Sequence, residues 1–296
     1  MKNILIIGAN GFTGRRILND LSVNPIYHVT GCSLRDDICP GKDYRFVRTD
    51  IRDENEVRKL FKECRPDIVI NTSALSVPDY CETHHAEADA TNVTAVETIA
   101  HVCEQYGSRF IHLSTDFVFD GKSTRLYKEE DEAIPVNYYG VTKLRAEKII
   151  ASICSNYAIV RVVVVYGKAL PGQHGNILQL VANRLRNGET IRVVSDQWRT
   201  PTFVGDISVG VEKLMFHTAN GIYHICGSEC LTIAEIAYRV ADFLKLDRSL
   251  IEPVTTEEMK EVTPRPRFSG LSIEKAKAEI GYTPRTLEEG MEASLF

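Results

Sequence analysis

The sequence predicts a doubly wound α/β fold: a parallel sheet with helices on both faces, and a smaller lobe toward the C-terminus that is interleaved with it in sequence. Three observations predict it. Short apolar runs at residues 4–7, 29–32, 68–71, 110–113 and 159–165 alternate with longer amphipathic stretches at 14–21, 54–63, 88–106 and 139–155. That rhythm builds βαβ units with right-handed crossovers. The runs are apolar at nearly every position, as strands covered on both faces must be. A glycine-rich turn, GANGFTG at 8–14, then follows the first run and opens the first helix, the setting of a Rossmann-type, dinucleotide-binding βα unit.

Length and composition agree with a single enzyme-sized unit. The chain has 296 residues, 44% hydrophobic and 25% charged, enough to bury a substantial core. No apolar run approaches the roughly 20 residues that cross a bilayer, so a membrane role is not expected. The opening MKNILIIGANG is too short for a signal peptide and lacks a small-residue cleavage site, and it reads as a buried strand. A net charge of -5 argues against a nucleic-acid footprint, which needs clustered cations. The eight cysteines form no CxxC pair, and Cys226 and Cys230 are the nearest two. Reduced core thiols in a cytoplasmic protein are the expectation.

Beyond Tyr166 the texture changes. A loop, KALPGQHGN, leads to a helical stretch at 177–186, a short strand at 191–194 and the polar-aromatic segment DQWRTPTF. Residues 204–216 and 222–225 return to the helix-and-strand layer. A helix over 232–244 starts at Thr232, with Glu235 three residues on completing a capping box. The Pro-rich TPRPRFSG, a helix at 272–280 stopped by Gly281, and a last amphipathic stretch to Phe296 finish the chain. The division expected is residues 1–166 plus a return at about 204–226 for the cofactor, with 167–203 and 227–296 for the substrate.

In the glycine-rich turn Gly8 permits the tight bend, Gly11 lets the backbone approach a pyrophosphate, and Gly14 lets the helix pack close to the strand. Asn10, Phe12 and Thr13 complete the turn that rests the diphosphate on the helix N-terminus. The second strand ends GCSLR, with no acid immediately there for an adenosine 2′-hydroxyl. Arg35 stands in its place and favours the 2′-phosphate of NADPH over NADH. The alternative is a loop charge paired with Asp36 and Asp37. Asp50 and Ile51, ending the third strand, are positioned to cover the adenine.

Tyr139 and Lys143 lie at i and i+4 on one predicted helix and hence share a face. A nearby ammonium and an oxidised nicotinamide both favour the phenolate, which brings a phenol of ordinary pKa ~10 toward neutral-pH acid–base work. Strand 109–114 ends in Ser114-Thr115-Asp116, where open α/β sheets bind ligands. Thr115 is expected to hydrogen-bond the same carbonyl oxygen as Tyr139. Ser114 competes with it, and strand alternation allows only one of them to face the cleft.

These segments resemble the extended short-chain dehydrogenases, and among them the dTDP-4-dehydrorhamnose reductase group, over nearly the whole chain. The likeness rests on GANGFTG at 8–14, NTSALSVPDYCE at 71–82, LSTDFVFDG at 113–121, YYGVTKLRAE at 138–147, RVVVVYG at 161–167, DQWRTPTF at 196–203 and the final RP-containing segment. It implies NADPH-dependent reduction of a 4-keto sugar on a nucleoside diphosphate, with Thr115, Tyr139 and Lys143 as the triad. Asn71, Ser73 and Ala74 then pass under the nicotinamide ribose, and Asn92 supports the lysine's surroundings, unless it is a plain helix-face residue. Val77, Asp116, Phe117, Tyr166 and Gln197 fall in the substrate region. Trp198 is read as stacking on the base and Arg199 as pairing with the diphosphate, with simple lining of the loop as the alternative for both.

The chain departs from that group at Val164, where the rhamnose-forming enzymes usually carry Trp, and at Arg199-Thr200, where they carry Gly-Ser. An altered sugar pocket follows. No metal site is expected: His84-His85 near Cys81 has no distal partner pair. Two other functions compete, a cofactor-binding regulatory subunit like the methionine adenosyltransferase β-subunits, and an NAD-retaining epimerase or dehydratase, which the absence of an acid at the strand end disfavours. A homodimer is compatible with the sequence but not dictated by it.

Overall fold

The computed structural model describes residues 1–40, 43–173 and 175–294. His174 of the loop after Tyr166 and the last two residues of the final amphipathic stretch lie outside them. The first half alternates β1 (Lys2–Ile7), α1 (Phe12–Ser22), β2 (Tyr27–Ser33), β3 (Arg45–Arg48), α2 (Glu54–Cys64) and β4 (Ile68–Asn71). It continues with α3 (Pro78–Thr83), α4 (His85–Asp89), a π-helical turn (Ala90–Thr94), α5 (Ala95–Tyr106), β5 (Arg109–Thr115), α6 (Tyr138–Ile153), β6 (Tyr157–Val162) and β7 (Val165–Tyr166). The rest comprises α7 (Ile177–Arg186), β8 (Ile191–Val194), β9 (Trp198–Arg199), β10 (Thr202–Phe203), α8 (Val204–Phe216), β11 (Gly221–His224), β12 (Leu231–Thr232), α9 (Ile233–Leu244), β13 (Ile251–Val254), α10 (Thr256–Met259), α11 (Glu274–Ile280) and α12 (Leu287–Ser294).

Seven strands form one sheet in the order β11-β6-β5-β4-β1-β2-β3, every pair parallel. The chain runs outward from β1 to β3 and then restarts beside β1 with β4. That reversal opens a crevice at the carboxyl ends of β1 and β4, where doubly wound sheets bind ligands. Alternate strand residues feed two cores. Ile4, Ile6, Ile68, Ile70, Ile111 and Val160 pack on the α1 and α8 side. Leu5, Ile7, Val69, Phe110 and Ile159 pack with α2, α5 and α6 on the other. A third core belongs to the smaller lobe and gathers α7, β8, α9, β13 and α12 around Leu178, Val181, Ile236 and Val240.

Local signals explain most boundaries. Asp53 caps α2 by accepting from the Asn55 and Glu56 amides, and Thr232 with Glu235 makes both hydrogen bonds of a capping box at α9. Gly281 ends α11 in the left-handed conformation, φ 60°. The stretch expected at 88–106 is divided by the π-helical turn, the helix expected from 272 starts at Glu274, and the end of the valine run also differs from the sequence reading. The valine run expected as a single strand to 165 stops at Val162, because Val164 adopts φ 38°, a costly conformation for a β-branched residue. Contacts from across the lobe hold it: the Thr202 hydroxyl donates to Val163 O at 2.6 Å and its amide to Val164 O at 3.1 Å.

Candidate active site

The glycine-rich turn is fitted to the sheet by close approach. Gly8 has φ 83°, and a Cβ there would stand 2.7 Å from the Ser73 amide. A Cβ on Gly14 would stand 2.3 Å from Gly8 O and 2.5 Å from Thr72 Oγ1, so α1 sits against β1 and β4 only as glycine allows. Thr72 locks the junction by donating to Ile7 O at 2.9 Å. The N-cap of α1 is Gly11, and no side chain satisfies its first-turn amides. The cradle therefore suits a pyrophosphate, with Phe12 and Thr13 contributing the first helical amides. The Gln173 amide, from the loop after β7, closes over the turn by donating to Asn10 O at 3.0 Å.

The side chain of Asn10 shapes the neighbouring loop. It donates to Arg35 O and Asp36 O and accepts from the buried Arg15 and from the Ile38 amide. Arg15 also donates to Asp37 at 2.5 Å and to the Tyr44 hydroxyl at 2.7 Å. Partial burial pushes Asp37 up, but hydrogen bonds from the Cys39 amide, Tyr44 and Arg15 bring it below the ordinary carboxylate range. Asp37 is thus committed to Arg15. Arg35 is exposed and, among the described residues, makes no ion pair. Asp50 lies just past β3, its carboxylate bound by Arg52 at 2.6 Å, while Ile51 is buried in the core beneath.

At the end of β4, Asn71 is fully buried, and Ser73 donates to it through both amide and hydroxyl. Ala74 follows, half-buried, in the segment that passes the cleft. Asn92 projects from the π-helical turn, which widens the helix where a polar side chain reaches inward. It accepts from the Leu75 amide at 2.8 Å and donates to Leu75 O and to Thr142 Oγ1, tying the 74–75 segment to α6.

Strand alternation resolves the choice between the two hydroxyls. Ser114 turns inward and donates to Glu147, which a buried Arg161 also holds at 2.6 Å. Thr115 faces the opposite way, toward Tyr139. Gly140 lets α6 approach this turn, since a Cβ there would meet Phe117 O at 2.1 Å, and the Phe117 ring stands edge-on to Tyr139 at 6.0 Å.

Burial raises the Tyr139 phenol above its ordinary value, the facing Thr115 hydroxyl lowers it, and the Asp116 carboxylate raises it again. The depression expected from Lys143 is not delivered by this arrangement. The lysine, only 2% exposed, points into the sheet and contacts His112 Nε2 at 2.9 Å and Leu113 O at 2.6 Å.

Asp116 is buried and accepts from the Ser269 hydroxyl, and Arg199 Nε stands 3.8 Å away. Burial raises this carboxyl, with Arg199, Ser269 and Thr115 opposing. Val77, the N-cap of α3, and Trp198, in β9, are exposed. His84 and His85, also near α3, stack on Tyr80 and Tyr138.

Three residues expected at the substrate are interior instead. Arg199 is 2% exposed and donates to the carbonyls of Trp198, Pro266 and Arg267 and to Gln197 Oε1. With its remaining N–H toward Asp116, it has no donor left for a diphosphate. Gln197 is equally buried, bridging Arg199 to Thr256 and Glu261. Tyr166 is 1% exposed in the core of the smaller lobe, with its hydroxyl 3.4 Å from Leu287 O.

Sequence reasoning passed over Arg15, Thr72, His112 and Ser269. Alternation in β5 signals His112, since it shares a face with Ser114. The other three depend on contacts distant in sequence.

Comparison with known proteins follows from this geometry. The family described as RmlD substrate binding domain matches residues 1–295. A probable low-salt glycan biosynthesis reductase of Haloferax volcanii is 30% identical over 97% of this chain and 95% of its own length. The methionine adenosyltransferase 2 subunit beta of Xenopus laevis is 31% identical over 96% of this chain and 84% of its own. The crystal structure of a Bacillus anthracis dTDP-4-dehydrorhamnose reductase in complex with NADP superposes with a TM-score of 0.87 at 26% identity, covering 99% of each chain.

Proposed function

The chain belongs to the RmlD substrate-binding domain family, and from that premise we propose that it is an NADPH-dependent reductase of a 4-keto sugar carried on a nucleoside diphosphate. The observation that carries the reading is the convergence of Thr115, Tyr139 and the glycine cradle on one crevice at the carboxyl ends of β1, β4 and β5. Gly8, Gly11, Gly14 and the first amides of α1 hold the dinucleotide's diphosphate, and Asn71, Ser73 and Ala74 border its nicotinamide half. Arg35, exposed and without an acidic partner among the described residues, favours the 2′-phosphate. The bound cofactor supplies the hydride.

The side chains handle the proton and the geometry. Tyr139, held above its ordinary pKa by burial, stays a phenol at neutral pH and donates to the carbonyl oxygen as negative charge develops there. Thr115 donates a second hydrogen bond to the same oxygen, fixing it for attack. Asp116 and Phe117 flank the sugar, and Trp198 and Val77 border the nucleotide side. Arg199 contributes indirectly, by fixing the 266–267 backbone beside Asp116.

The test is to mix the protein with NADPH and, separately, NADH, offer nucleoside-diphosphate 4-keto sugars, and follow absorbance at the reduced-nicotinamide band. Keto-sugar-dependent loss of absorbance is expected, faster with NADPH. Tight NADPH binding with no turnover on any keto sugar would instead support a cofactor-binding regulatory role.

A further inference from the structure

The loop that follows β2 is folded around one buried cation. Arg15, early in α1, is 2% exposed, and its guanidinium carbon lies 5.8 Å from the centre of the Tyr44 ring and 5.9 Å from that of Phe46. Nη2 donates to Asn10 Oδ1 at 2.8 Å and to Asp37 at 2.5 Å, and Nη1 donates to the Tyr44 hydroxyl at 2.7 Å. Tyr44 in turn donates to Asp37 at 2.7 Å, closing a ring of three side chains. Arg15 Nε is buried and has no partner among the described residues. A buried ion pair with an unpaired donor is a poor source of stability, and apolar side chains of similar volume commonly hold such a contact as well. What the pair does supply is geometry.

Asn10 carries that geometry to the end of β2. Its Oδ1 accepts from Arg15 and from the Ile38 amide. Neither donor can reverse its role, so the carboxamide must turn its NH2 the other way. Nδ2 then donates to Arg35 O at 3.2 Å and to Asp36 O at 2.8 Å. On the strand side, Cys32 O accepts from the Gly8 amide at 3.0 Å and from the Ala9 amide at 2.9 Å. The backbone of Arg35 is thus fastened to the glycine-rich turn from both directions, while its side chain is exposed.

We propose that Arg15 is a positioning residue for NADPH: acting through Asn10 and paired with Asp37, it shapes the loop after β2 so that the Arg35 guanidinium meets the cofactor's 2′-phosphate. Arginine recognises phosphate through a planar fork, so its placement decides how many of its N–H groups engage. The pairing also neutralises Asp37, a carboxylate two residues from Arg35 that would otherwise repel a phosphate. NADH lacks that phosphate and draws on the cradle of Gly8, Gly11 and Gly14. Arg15 is bonded to the cradle by its backbone amide, which donates to Gly11 O at 2.9 Å and survives any change of side chain. Loss of the Arg15 side chain should therefore fall on one cofactor and spare the other.

The inference rests on the reading of Arg35 as the 2′-phosphate contact, and its test needs no sugar. NADPH and NADH are titrated separately into the full chain and followed by nicotinamide fluorescence. The ion pair is replaced as a unit, Arg15→Met together with Asp37→Leu, which leaves the net charge unchanged and so removes any long-range charge effect. NADPH should bind about tenfold or more weakly, with NADH within about twofold of the parent. Arg35→Ala should lower the NADPH to NADH affinity ratio by itself. Adding the pair replacement to Arg35→Ala should then leave the ratio where it is, because the residue being positioned is gone.

A merely structural role would weaken both cofactors alike. Equal loss for the two, an unchanged ratio, or a further fall of the ratio in the Arg35→Ala background overturns the proposal. Should the paired replacement fail to fold, Asn10→Ala removes only the relay, is held to the same two ratios and decides alone. An Arg35→Ala ratio equal to the parent's overturns the cofactor reading and this proposal with it. An Arg35→Ala ratio that falls while the paired replacement keeps the parent's overturns this proposal alone. Absence of keto-sugar turnover overturns the reductase reading and leaves these ratios unchanged.

Discussion

Replacing Gly11 and Gly14 separately by alanine should divide the cradle's two duties, approach of the cofactor and packing of the helix. A Cβ on Gly14 would lie 2.3 Å from Gly8 O and 2.9 Å from Gly8 C, where ordinary contact begins near 3.4 Å. The obstacle is backbone, which no rotamer change relieves, so α1 must lift from β1. Overpacking of this kind costs about 1–3 kcal/mol, a large share of the ~5–15 kcal/mol that holds typical proteins folded. Gly11 differs. Its backbone, φ -66° and ψ 163°, suits any residue, and its Cβ would meet only Gly8 O at 3.1 Å. Gly11→Ala should therefore change stability by no more than about 0.5 kcal/mol. Its methyl group nevertheless projects where a diphosphate must reach the amides of α1. NADPH should bind at least about tenfold more weakly, a loss of ~1.4 kcal/mol. Urea unfolding measures the first quantity and titration of NADPH fluorescence the second. Gly11→Ala binding within twofold of the parent, or Gly14→Ala as stable as the parent, would refute the reasoning.

Further outcomes follow from the same contacts. Arg35→Asp should shift the ratio of NADPH to NADH affinity toward NADH by about tenfold or more, read by parallel fluorescence titrations; an unchanged ratio removes Arg35 from the 2′-phosphate site. Lys143→Met should show a stability difference from the parent that depends on pH. The folded lysine titrates near 8 and the unfolded one near 10.5, so the unfolded chain binds more protons between those values and the parent gains stability as pH rises through that window. Below about pH 8 the parent carries the full burden of burying the ammonium, about 3 kcal/mol, which the methionine variant does not. Denaturant melts at several pH values check it, and a pH-independent difference contradicts it. Ser269→Ala should cost about 1–3 kcal/mol, because it strips a hydrogen bond from the buried Asp116 carboxyl; a neutral result would show that Arg199 and Thr115 suffice.

Much of the fold was legible because its signals are local. Strands apolar on both faces, a glycine turn at the first crossover, and the cap at Thr232 each declare themselves within a few residues. The break after Val162 does not. A run of four valines favours a strand, and only the Thr202 contacts hold Val164 in its left-handed turn. The interior placement of Arg199 and Gln197 was hidden for a related reason. Their polarity argues for exposure, and what overrules it is a set of acceptors as far as 68 positions away that takes four of the five guanidinium N–H groups, with the fifth facing Asp116. Ser114 and Thr115 show the converse. Alternation in β5 said that one alone faces the cleft, and the Glu147 contact identifies which. Lys143 lies on α6 with Tyr139, as the spacing suggested, but the partner that holds it, His112, lies on another element and is not legible from the helix.

Transfer of deuteride tests the central claim most directly. NADPH carrying deuterium at C4 of the nicotinamide is mixed with the protein and a nucleoside-diphosphate 4-keto sugar, and the product sugar is examined by mass spectrometry and proton NMR. The account predicts a product heavier by one deuterium, located at the former keto carbon, with formation lost in Tyr139→Phe while NADPH still binds. A product without deuterium at that carbon, or Tyr139→Phe turning over at the parent's rate, would contradict it.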